Sequence, residues 1–387
     1  MSTNPRRVLA HRLTGCLWGT AVGDSVGLPF ENLSRRSVRS IAREPLRQSL
    51  VFGRGMLSDD TEHTQLVALS LIEARRDVGR FRALLARRLR WWLLSGPPGV
   101  GSATARAILK LWFGANPASS GVHSAGNGPA MRAAILGVAC GADGAWLVET
   151  VRASTCLTHT DPAAFEAALA VAVAAHAAPT VLAEPPEGVF DAWRRMYLAV
   201  SPNPDLLAAQ WALMREGVAQ RWSLDELAGQ LGCPGGVTGY ALHTVPAALY
   251  AWMCSPADLR RAVTAIIRCG GDTDSTAAIV GGIVGAGVGP SGVPVDWLSR
   301  MWAWPRGPSW MQRTSERLAD ALTESLAGPA GSATSPPWSQ RAAEAAWWPF
   351  FLQRNLAMFG VVLAVFFIRT LRVGLAATSR ALGLNPE

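Results

Sequence analysis

The sequence is poor in lysine, in paired cysteines and in long hydrophobic runs, and each absence excludes a class of protein. Lys110 is the only lysine, so arginine supplies nearly all of the positive charge behind the net charge of +8. Codon usage also produces such an arginine bias, which makes the bias weak support for nucleic-acid binding. No basic stripe with interleaved aromatic residues accompanies it. The sequence therefore contains no specific nucleic-acid motif.

Six cysteines are spread over 387 residues without a CxxC pair. In a chain of this length, scattered cysteines are typical of reduced core thiols rather than of a disulfide framework or a zinc site. Arg6-Arg7 near the N-terminus is followed by no apolar segment of the kind that a secretory signal requires. Together these features predict a cytoplasmic protein.

Runs of β-branched residues in strict alternation are also scarce, which argues against a β-sheet core. Apolar residues instead recur at helical spacing, for example at Leu66, Leu69 and Ile72. A composition of 49% hydrophobic and 17% charged residues suits a well-buried core. The sequence predicts a compact all-α fold of ten or more helices, in which the first helix begins at Leu13 and breaks near Gly23.

Composition divides the chain into four parts. We expect a basic N-terminal tail at residues 1–12, a large helical domain at 13–327, a linker rich in Gly, Pro and Ser at 328–340, and an apolar and basic C-terminal tail at 341–387. The large domain contains every candidate site residue.

The C-terminal tail contains an uncharged run, Leu356–Ile368. This run is shorter than the roughly 17–20 apolar residues that a membrane span needs. Trp347-Trp348 before it and Arg369 after it are nevertheless typical of an interfacial anchor. Two hypotheses stay open: association with a membrane through residues 347–372, or an apolar helix that docks on the large domain.

Two acidic clusters, Ser58–Glu62 and Cys269–Ser275, each precede an apolar run of helical character. One acid is enough to cap a helix, and Asp59 with Glu62 three residues later would form a capping box. Each cluster, however, carries two adjacent or nearly adjacent aspartates. The doubled acids favour the hypothesis that the clusters are two halves of one metal site.

The donor atoms of the two clusters indicate which metal they would bind. Both clusters offer carboxylates and hydroxyls, the ligands that hard divalent cations such as Mg²⁺ prefer. Neither contains a histidine ligand, and zinc is therefore disfavoured. Four acids at one site would repel each other strongly without a cation, so two ions bridged by shared carboxylates are a natural arrangement.

Three further features are weaker when taken singly. Asp24 and Glu31 form a third acidic pair, although Asp24 could merely cap a turn and Glu31 could lie on the surface. The loop Gly126-Asn127-Gly128 precedes a helix and could offer backbone N–H groups to a phosphate, although this tripeptide is also a common turn. His159 precedes a predicted helix, and a histidine at such a position is more often a hydrogen-bonded structural residue than a functional one.

Six segments match, in order, the pattern of one known family, and together they make the resemblance specific. They are Gly15–Gly27 with Glu31, Ser58–Thr61, Gly126–Arg132, Thr158-His159, Gly239-Tyr240 and Gly270–Ser275. Over residues 13–322 the chain resembles the ADP-ribosylglycohydrolase family, the group of dinitrogenase-reductase-activating glycohydrolase and its relatives. The resemblance implies an all-α fold around a centre of two Mg²⁺ (or Mn²⁺) ions.

The resemblance also implies an activity. Members of this family hydrolyse the glycosidic bond between ADP-ribose and a protein side chain or a small acceptor, and arginine is the acceptor we expect first. The partner would then be an ADP-ribosylated protein or a small ADP-ribose conjugate, and the enzyme a monomer. The alternatives are a dimetal phosphoesterase and a non-catalytic ADP-ribose-binding protein.

The resemblance assigns a role to each matched residue. The expected metal ligands are Ser58, Asp59, Asp60, Asp272, Asp274 and Ser275, with serine at two positions where the family more often has threonine. Glu31 or Asp60 would act on the attacking water. The expected substrate contacts are Gly126, Asn127, Gly128, Met131, His159 and Tyr240.

Overall fold

The computed structural model describes residues 4–327 and 349–361, and within these ranges it contains helices, loops and isolated backbone bridges but no β-strand. The prediction of an all-α fold with ten or more helices is confirmed. The helices are α1 (Pro5–Gly27), α2 (Arg35–Ile41), α3 (Asp59–Ala74), α4 (Val78–Leu94), α5 (Ser102–Trp112), α6 (Gly128–Met131), α7 (Ala134–Cys140), α8 (Gly144–Cys156), α9 (Pro162–Ala177), α10 (Pro186–Val200), α11 (Ala208–Gln220), α12 (Leu224–Gln230), α13 (Ala241–Cys254), α14 (Leu259–Ile267), α15 (Thr273–Val288), α16 (Val295–Arg300), α17 (Pro308–Ala327) and α18 (residues 349–361).

The centre of the fold is an antiparallel pair of helices, α1 and α15. Glycines every four residues along α1 face small residues of α15, so the two backbones touch directly. A Cβ atom on Gly19 would overlap the carbonyl oxygen of Gly281, and one on Gly23 would overlap that of Ala277. Close backbone approach of this kind requires the absence of a side chain. The pair brings the end of α1 beside the start of α15.

Other helices surround this pair. Helices α7, α9, α13 and α14 pack against α15, while α3 and α17 pack against α1. Of the helices that the structure describes, one segment, Pro162–Thr180, is long and apolar enough to cross a membrane, and 83% of it is buried inside the fold. It is α9 with the short 3₁₀ turn that follows, and its burial identifies it as a core helix. All six cysteines are unpaired.

The N-terminal boundary differs from the expectation. Helix α1 begins at Pro5 rather than at Leu13, with Asn4 as its N-cap, and it continues without a break through Gly23 to Gly27. The expected tail at 1–12 therefore includes the first two turns of α1, which Arg6 fixes by pairing with Asp320 of α17. Gly23 continues the helix because its missing side chain is what lets α15 approach, so here the glycine is a packing residue.

Helix α18 is docked on the large domain. Its Asn355 is fully buried and donates hydrogen bonds to the backbone oxygen and the hydroxyl of Ser95. Arg354 pairs with Glu62 of α3. Of the two hypotheses for the tail, docking therefore holds for residues 349–361. The expected linker and the rest of the 347–372 segment lie outside the described residues, so membrane association stays a prediction.

Candidate active site

One cavity of about 380 Å³ brings together most of the predicted site residues. That volume is at the lower end of the range for small-molecule sites. The predicted residues on its wall are Glu31, Ser58, Asp59, Gly126, Asn127, Gly128, Met131, His159, Asp272, Asp274 and Ser275. The cavity therefore joins segments that are more than two hundred positions apart in the chain.

The first acidic segment is held in place by Asp24, at the end of α1. This carboxylate is fully buried and accepts hydrogen bonds from the backbone N–H of Ser58 and from the N–H and hydroxyl of Thr61. Burial raises the pKa of Asp24 to about 7, although these hydrogen bonds oppose the rise. Asp24 thus holds the first turn of α3 in place through these hydrogen bonds.

The N-cap of α3 is Ser58, not Asp59 as the capping-box interpretation proposed. The Ser58 hydroxyl accepts from the N–H of Asp60, while Asp59 is the first helical residue and lines the cavity. Glu62 does not reach back to the cap, because its carboxylate instead accepts a hydrogen bond of 2.6 Å from the indole N–H of Trp92 and pairs with Arg354. With the cap supplied by a serine, the carboxylate of Asp59 is left available to the cavity.

Asp60 connects the two acidic segments. It is fully buried behind the cavity wall, and its Oδ2 accepts hydrogen bonds from the hydroxyls of Ser58 at 2.8 Å and Ser275 at 3.2 Å. Ser275 belongs to the first turn of α15. The start of α3 and the start of α15 therefore meet through one shared carboxylate.

The backbone before α15 is clamped from two sides. Gly271 has φ +86°, which glycine adopts without strain, and its N–H donates to the carbonyl of Leu33. A Cβ on Gly271 would overlap the backbone of Val237. The N–H of Asp272 then donates to the carbonyl of Val237 at 2.7 Å. The glycine pair of the motif is needed because two neighbouring chains enclose it.

Asn127 connects the glycine-rich loop to the second acidic segment. Its side-chain amide donates to Asp272 Oδ2 at 2.6 Å and to the hydroxyl of Thr244 at 3.1 Å. The backbone N–H groups of Gly126 and Asn127 already donate to Ser124 Oγ and Gly239 O. These two N–H groups are thus occupied within the loop, and the phosphate cradle expected from them stays a prediction that this geometry does not favour.

His159 forms the floor under that loop. A Cβ on Gly126 or on Gly128 would come within 3.0 Å of its imidazole ring, so the ring occupies the space that side chains would need. Its Nδ1 lies 2.9 Å from the hydroxyl of Thr158, to which the buried Arg132 also donates. Burial, followed by the charge of Arg132, lowers the pKa of His159 to about 3. The ring is therefore neutral in the folded protein.

The acids of the cavity destabilise each other's charges. Burial raises the pKa of Asp60 and Asp274 well above the usual range, and the neighbouring carboxylates add to the effect. Asp59 follows the same pattern. The pKa of Glu31 is raised by burial and then by the charge of Asp272. Among the residues that the structure describes, no arginine or lysine lines the cavity wall to compensate these charges.

The donor chemistry of the cluster fits a divalent cation. Oδ1 of Asp60 and Oδ1 of Asp274 are buried and accept no hydrogen bond from any described residue. Buried polar atoms without a partner are costly, and a cation would offset that cost. As the side chains stand, no three Asp, Glu, His or Cys residues in the described part of the chain form a cage by themselves. The hydroxyls of Ser58 and Ser275 would therefore have to share in the coordination.

Tyr240 is the one predicted substrate contact that the structure does not bring to the wall. Its side chain is 42% exposed and its ring packs edge-on against His243. Its backbone forms a bridge with Gly126, and the neighbouring Gly239 lines the cavity in its place. The Gly239-Tyr240 motif thus contributes through its backbone.

The sequence interpretation missed several residues of the wall. They are Leu28, Asn32, Pro98, Gly99, Gly101, Ser102, Ala103, Thr104, Ser124 and Met358. The loop before α5 is visible in the sequence as a run of Gly, Pro and Ser, but nothing local connects it to the acids. Met358 has no signal at all, because it lies in α18, outside the matched motifs.

The fold and the cleft define an all-α protein with a small-molecule site walled by carboxylates. A sequence model of the ADP-ribosylglycohydrolase family matches residues 5–330. The chain belongs to this family, as the motifs indicated. It is accordingly a glycohydrolase, an enzyme that hydrolyses ADP-ribose conjugates.

Individual relatives are similar to the chain over most of their length. An uncharacterised protein of Archaeoglobus fulgidus is 30% identical over 299 residues, which cover 75% of this chain and 91% of that one. The ADP-ribosyl-[dinitrogen reductase] glycohydrolase of Rhodospirillum rubrum is 24% identical over 326 residues, or 82% of this chain and 97% of its own. A solved structure described as an ADP-ribosylglycohydrolase-related protein complex superposes with a TM-score of 0.61 at 24% identity, covering 82% of this chain and 99% of its own. It shares the fold.

Proposed function

We propose that this enzyme releases ADP-ribose from arginine side chains of modified proteins and that its activity depends on two Mg²⁺ or Mn²⁺ ions. The observation that carries the proposal is the meeting of two acidic helix starts at one cavity, where the Asp60 carboxylate accepts hydrogen bonds from Ser58 and Ser275. A cap or a turn does not explain four acids at one place. The name of the Rhodospirillum rubrum relative, which refers to ADP-ribosyl removal from a protein, supports a protein acceptor.

The ions would be held by the carboxylates of both segments together with the two serine hydroxyls. The residues are Ser58, Asp59, Asp60, Asp272, Asp274 and Ser275. This assignment is supported by Oδ1 of Asp60 and Oδ1 of Asp274, which are buried and accept no hydrogen bond from a described residue. When bound, the ions would supply Lewis acidity, which would lower the pKa of a water molecule in the cavity.

Glu31 is the stronger of the two candidates for the general base. It lines the cavity, its carboxylate accepts a hydrogen bond of 3.1 Å from Asn32, and its raised pKa brings it closer to the working pH of a proton acceptor. Asp60 is fully buried behind the wall and already accepts from two hydroxyls. We therefore assign proton abstraction from water to Glu31 and positioning of the hydroxyls to Asp60.

The remaining residues bind and orient the sugar. Cleavage of a glycosidic bond passes through an oxocarbenium-like state, which nearby carboxylates such as Asp59 and Asp274 stabilise. Asn127 keeps Asp272 oriented through the 2.6 Å hydrogen bond. Gly126 and Gly128 pack closely against the ring of the neutral His159, and the loop and the ring together offer a wall against which a flat part of the ligand can lie.

The test is an assay on a peptide that carries ADP-ribosyl-arginine, followed by mass spectrometry, with Mg²⁺ or with EDTA. We expect free ADP-ribose and intact arginine in the presence of Mg²⁺ and neither in EDTA. Asp274→Asn should reduce the rate at least a hundredfold, whereas Asp191→Asn, the same change at an exposed site, should leave it unaltered. Release of phosphate or AMP would support a phosphoesterase, and binding without cleavage would support a non-catalytic ADP-ribose-binding protein.

The acceptor and the metal are tested separately in the same assay. Peptides modified on serine, and O-acetyl-ADP-ribose, would be compared with the arginine peptide at equal concentration. Faster turnover of either would overturn the arginine assignment but not the hydrolase. Full activity in EDTA would overturn the metal assignment alone.

A further inference from the structure

Helix α18 contributes to the cleft although it lies beyond the family domain. The family match ends at residue 330, while α18 spans residues 349–361. Its Met358 is 3% exposed and lines the same cavity as Asp59 and Asp274. A segment that the family pattern does not include therefore supplies part of the wall.

The position of α18 is fixed by buried polar contacts. Asn355 is fully buried, and its side-chain N–H groups donate to the backbone oxygen and the hydroxyl of Ser95, at 2.9 and 3.0 Å. Arg354 pairs with Glu62, whose side chain is 5% exposed. Breaking such a buried pair leaves an uncompensated charge, so α18 strongly favours the position in which Arg354 contacts Glu62.

The same contacts join α18 to the part of α3 that follows Asp59. Glu62 lies one turn after Asp59 on α3, and Arg354, which pairs with Glu62, lies one turn before Met358 on α18. Residues three or four apart on a helix are surface neighbours. Met358 is thus about one helical turn from the contact that joins α18 to the acid-bearing turn of α3.

We propose that Met358 is a specificity-determining residue, which bounds the subsite where the acceptor group leaves the ribose and limits its bulk. The proposal rests on the proposed function, since it needs a cleft that binds ADP-ribose conjugates at the acids. A methionine fits this place because its unbranched thioether packs against differing shapes without a polar demand. The family domain supplies the acids, and α18 limits the size of the acceptor group that can bind beside them.

The experiment compares two substrates with the same linkage, ADP-ribosyl-arginine as the free amino acid and a protein that carries the modification. Met358→Trp should lower kcat/KM for the protein about tenfold more than for the small conjugate. Met358→Ala should raise the ratio of kcat/KM for the protein to kcat/KM for the small conjugate. Met358→Leu, which conserves volume, should leave the ratio within about twofold of the unmodified enzyme.

Leu356 supplies the matched control. It lies on the same helix, is 63% exposed, and Leu356→Trp adds similar bulk away from the cavity. This variant should leave kcat/KM unchanged for both substrates. Product inhibition by free ADP-ribose, which has no acceptor, should stay the same in all Met358 variants. Equal loss for both substrates and for ADP-ribose inhibition would overturn the proposal, as would no change in any variant.

Folding and the parent hypothesis are separated from this outcome. Should Met358→Trp lower the melting temperature strongly, Arg354→Gln, which releases α18 from Glu62, replaces it and should relax the substrate ratio as Met358→Ala does. Should the unmodified enzyme bind both conjugates without cleaving them, the proposed hydrolysis fails, and the ratio of their dissociation constants tests Met358 directly. An enzyme that binds neither conjugate overturns both.

Discussion

Asp24 shows how much of the site depends on a residue that never reaches the cavity. Its carboxylate accepts from the N–H groups of Ser58 and Thr61, the donors that the first turn of a helix leaves unsatisfied. The sequence marked Asp24 as part of an acidic pair with Glu31 but could not distinguish a ligand from a support. The structure separates the two, because Glu31 lines the cavity and Asp24 lies behind it.

Asp24→Ala should therefore destabilise the protein as well as inactivate it. The substitution leaves buried N–H donors of Ser58 and Thr61 without an acceptor, at about 1–3 kcal/mol each. We expect urea denaturation to show a loss of about 2–4 kcal/mol. Asp191→Ala, at an exposed helical position, is the control and should change stability by less than about 0.5 kcal/mol. An unchanged midpoint in Asp24→Ala would contradict the supporting role.

His159 should make the protein less stable in mild acid. Its pKa is lowered to about 3 in the folded state, against roughly 6.5 when unfolded. Between these values the unfolded chain binds the extra proton, so the free energy of unfolding falls as the pH falls below about 6.5. The contribution of one such group is at most about 1.4 kcal/mol per pH unit.

His159→Gln should remove this contribution. Denaturation at several values from pH 7 to pH 5 should give a shallower slope for the variant than for the unmodified protein. Identical slopes would mean that the ring is not held neutral. The sequence placed His159 at the start of a helix but could not indicate its neutrality, which results from burial beside Arg132.

At the scale of elements, the contact between α1 and α15 decides whether the site forms. Gly15, Gly19, Gly23 and Gly27 recur every four residues and lie against the backbone of α15. In the sequence, these glycines match a family motif, and Gly23 predicted a break in the first helix. Only the partner helix, more than 240 positions away, explains them, and local pattern cannot supply that partner.

Gly19→Ala should consequently be far more harmful than alanine at an ordinary helical glycine. The added methyl would overlap the carbonyl oxygen of Gly281, a backbone atom that cannot rotate away. We expect a loss of about 3 kcal/mol or more, the upper part of the range for overpacking. Circular dichroism during thermal unfolding measures it.

Gly229→Ala provides the matched control. Gly229 lies in α12, and a Cβ there would meet no atom within 4 Å. Because alanine favours a helix over glycine, this variant should be neutral or more stable by up to about 1 kcal/mol. Equal losses in the two variants would argue against direct backbone contact between α1 and α15.

At the scale of the whole molecule, the all-α fold and the two acidic clusters could be predicted, whereas the extra wall could not. Helical spacing and doubled acids are local signals, and the ordered motifs added the pairing of the clusters. The docking of α18 depends on Asn355 and Arg354, and no local sequence pattern connects these two residues to their partners Ser95 and Glu62. The uncharged residues after Asn355 left both a membrane anchor and a docked apolar helix open.

Binding of Mg²⁺ should stabilise the whole fold, because the unfolded chain does not assemble the two acidic segments. A ligand that binds only the folded state adds about 2.7 kcal/mol at a concentration ~100 times its Kd. The melting temperature should therefore rise by several degrees when Mg²⁺ is added and fall back when EDTA removes the ion. Asp274→Asn should abolish the shift, and a shift of equal size in that variant would place the ion elsewhere.

The backbone contact between α1 and α15 also limits the order in which the fold can form during synthesis. Helix α1 ends at Gly27 and its partner begins at Thr273, so more than 240 residues must be made between the two. Until α15 has been made, the acids at the start of α3 have no second half. The glycine face of α1 stays uncovered over the same interval, so the core of the fold and the site are completed by one and the same helix.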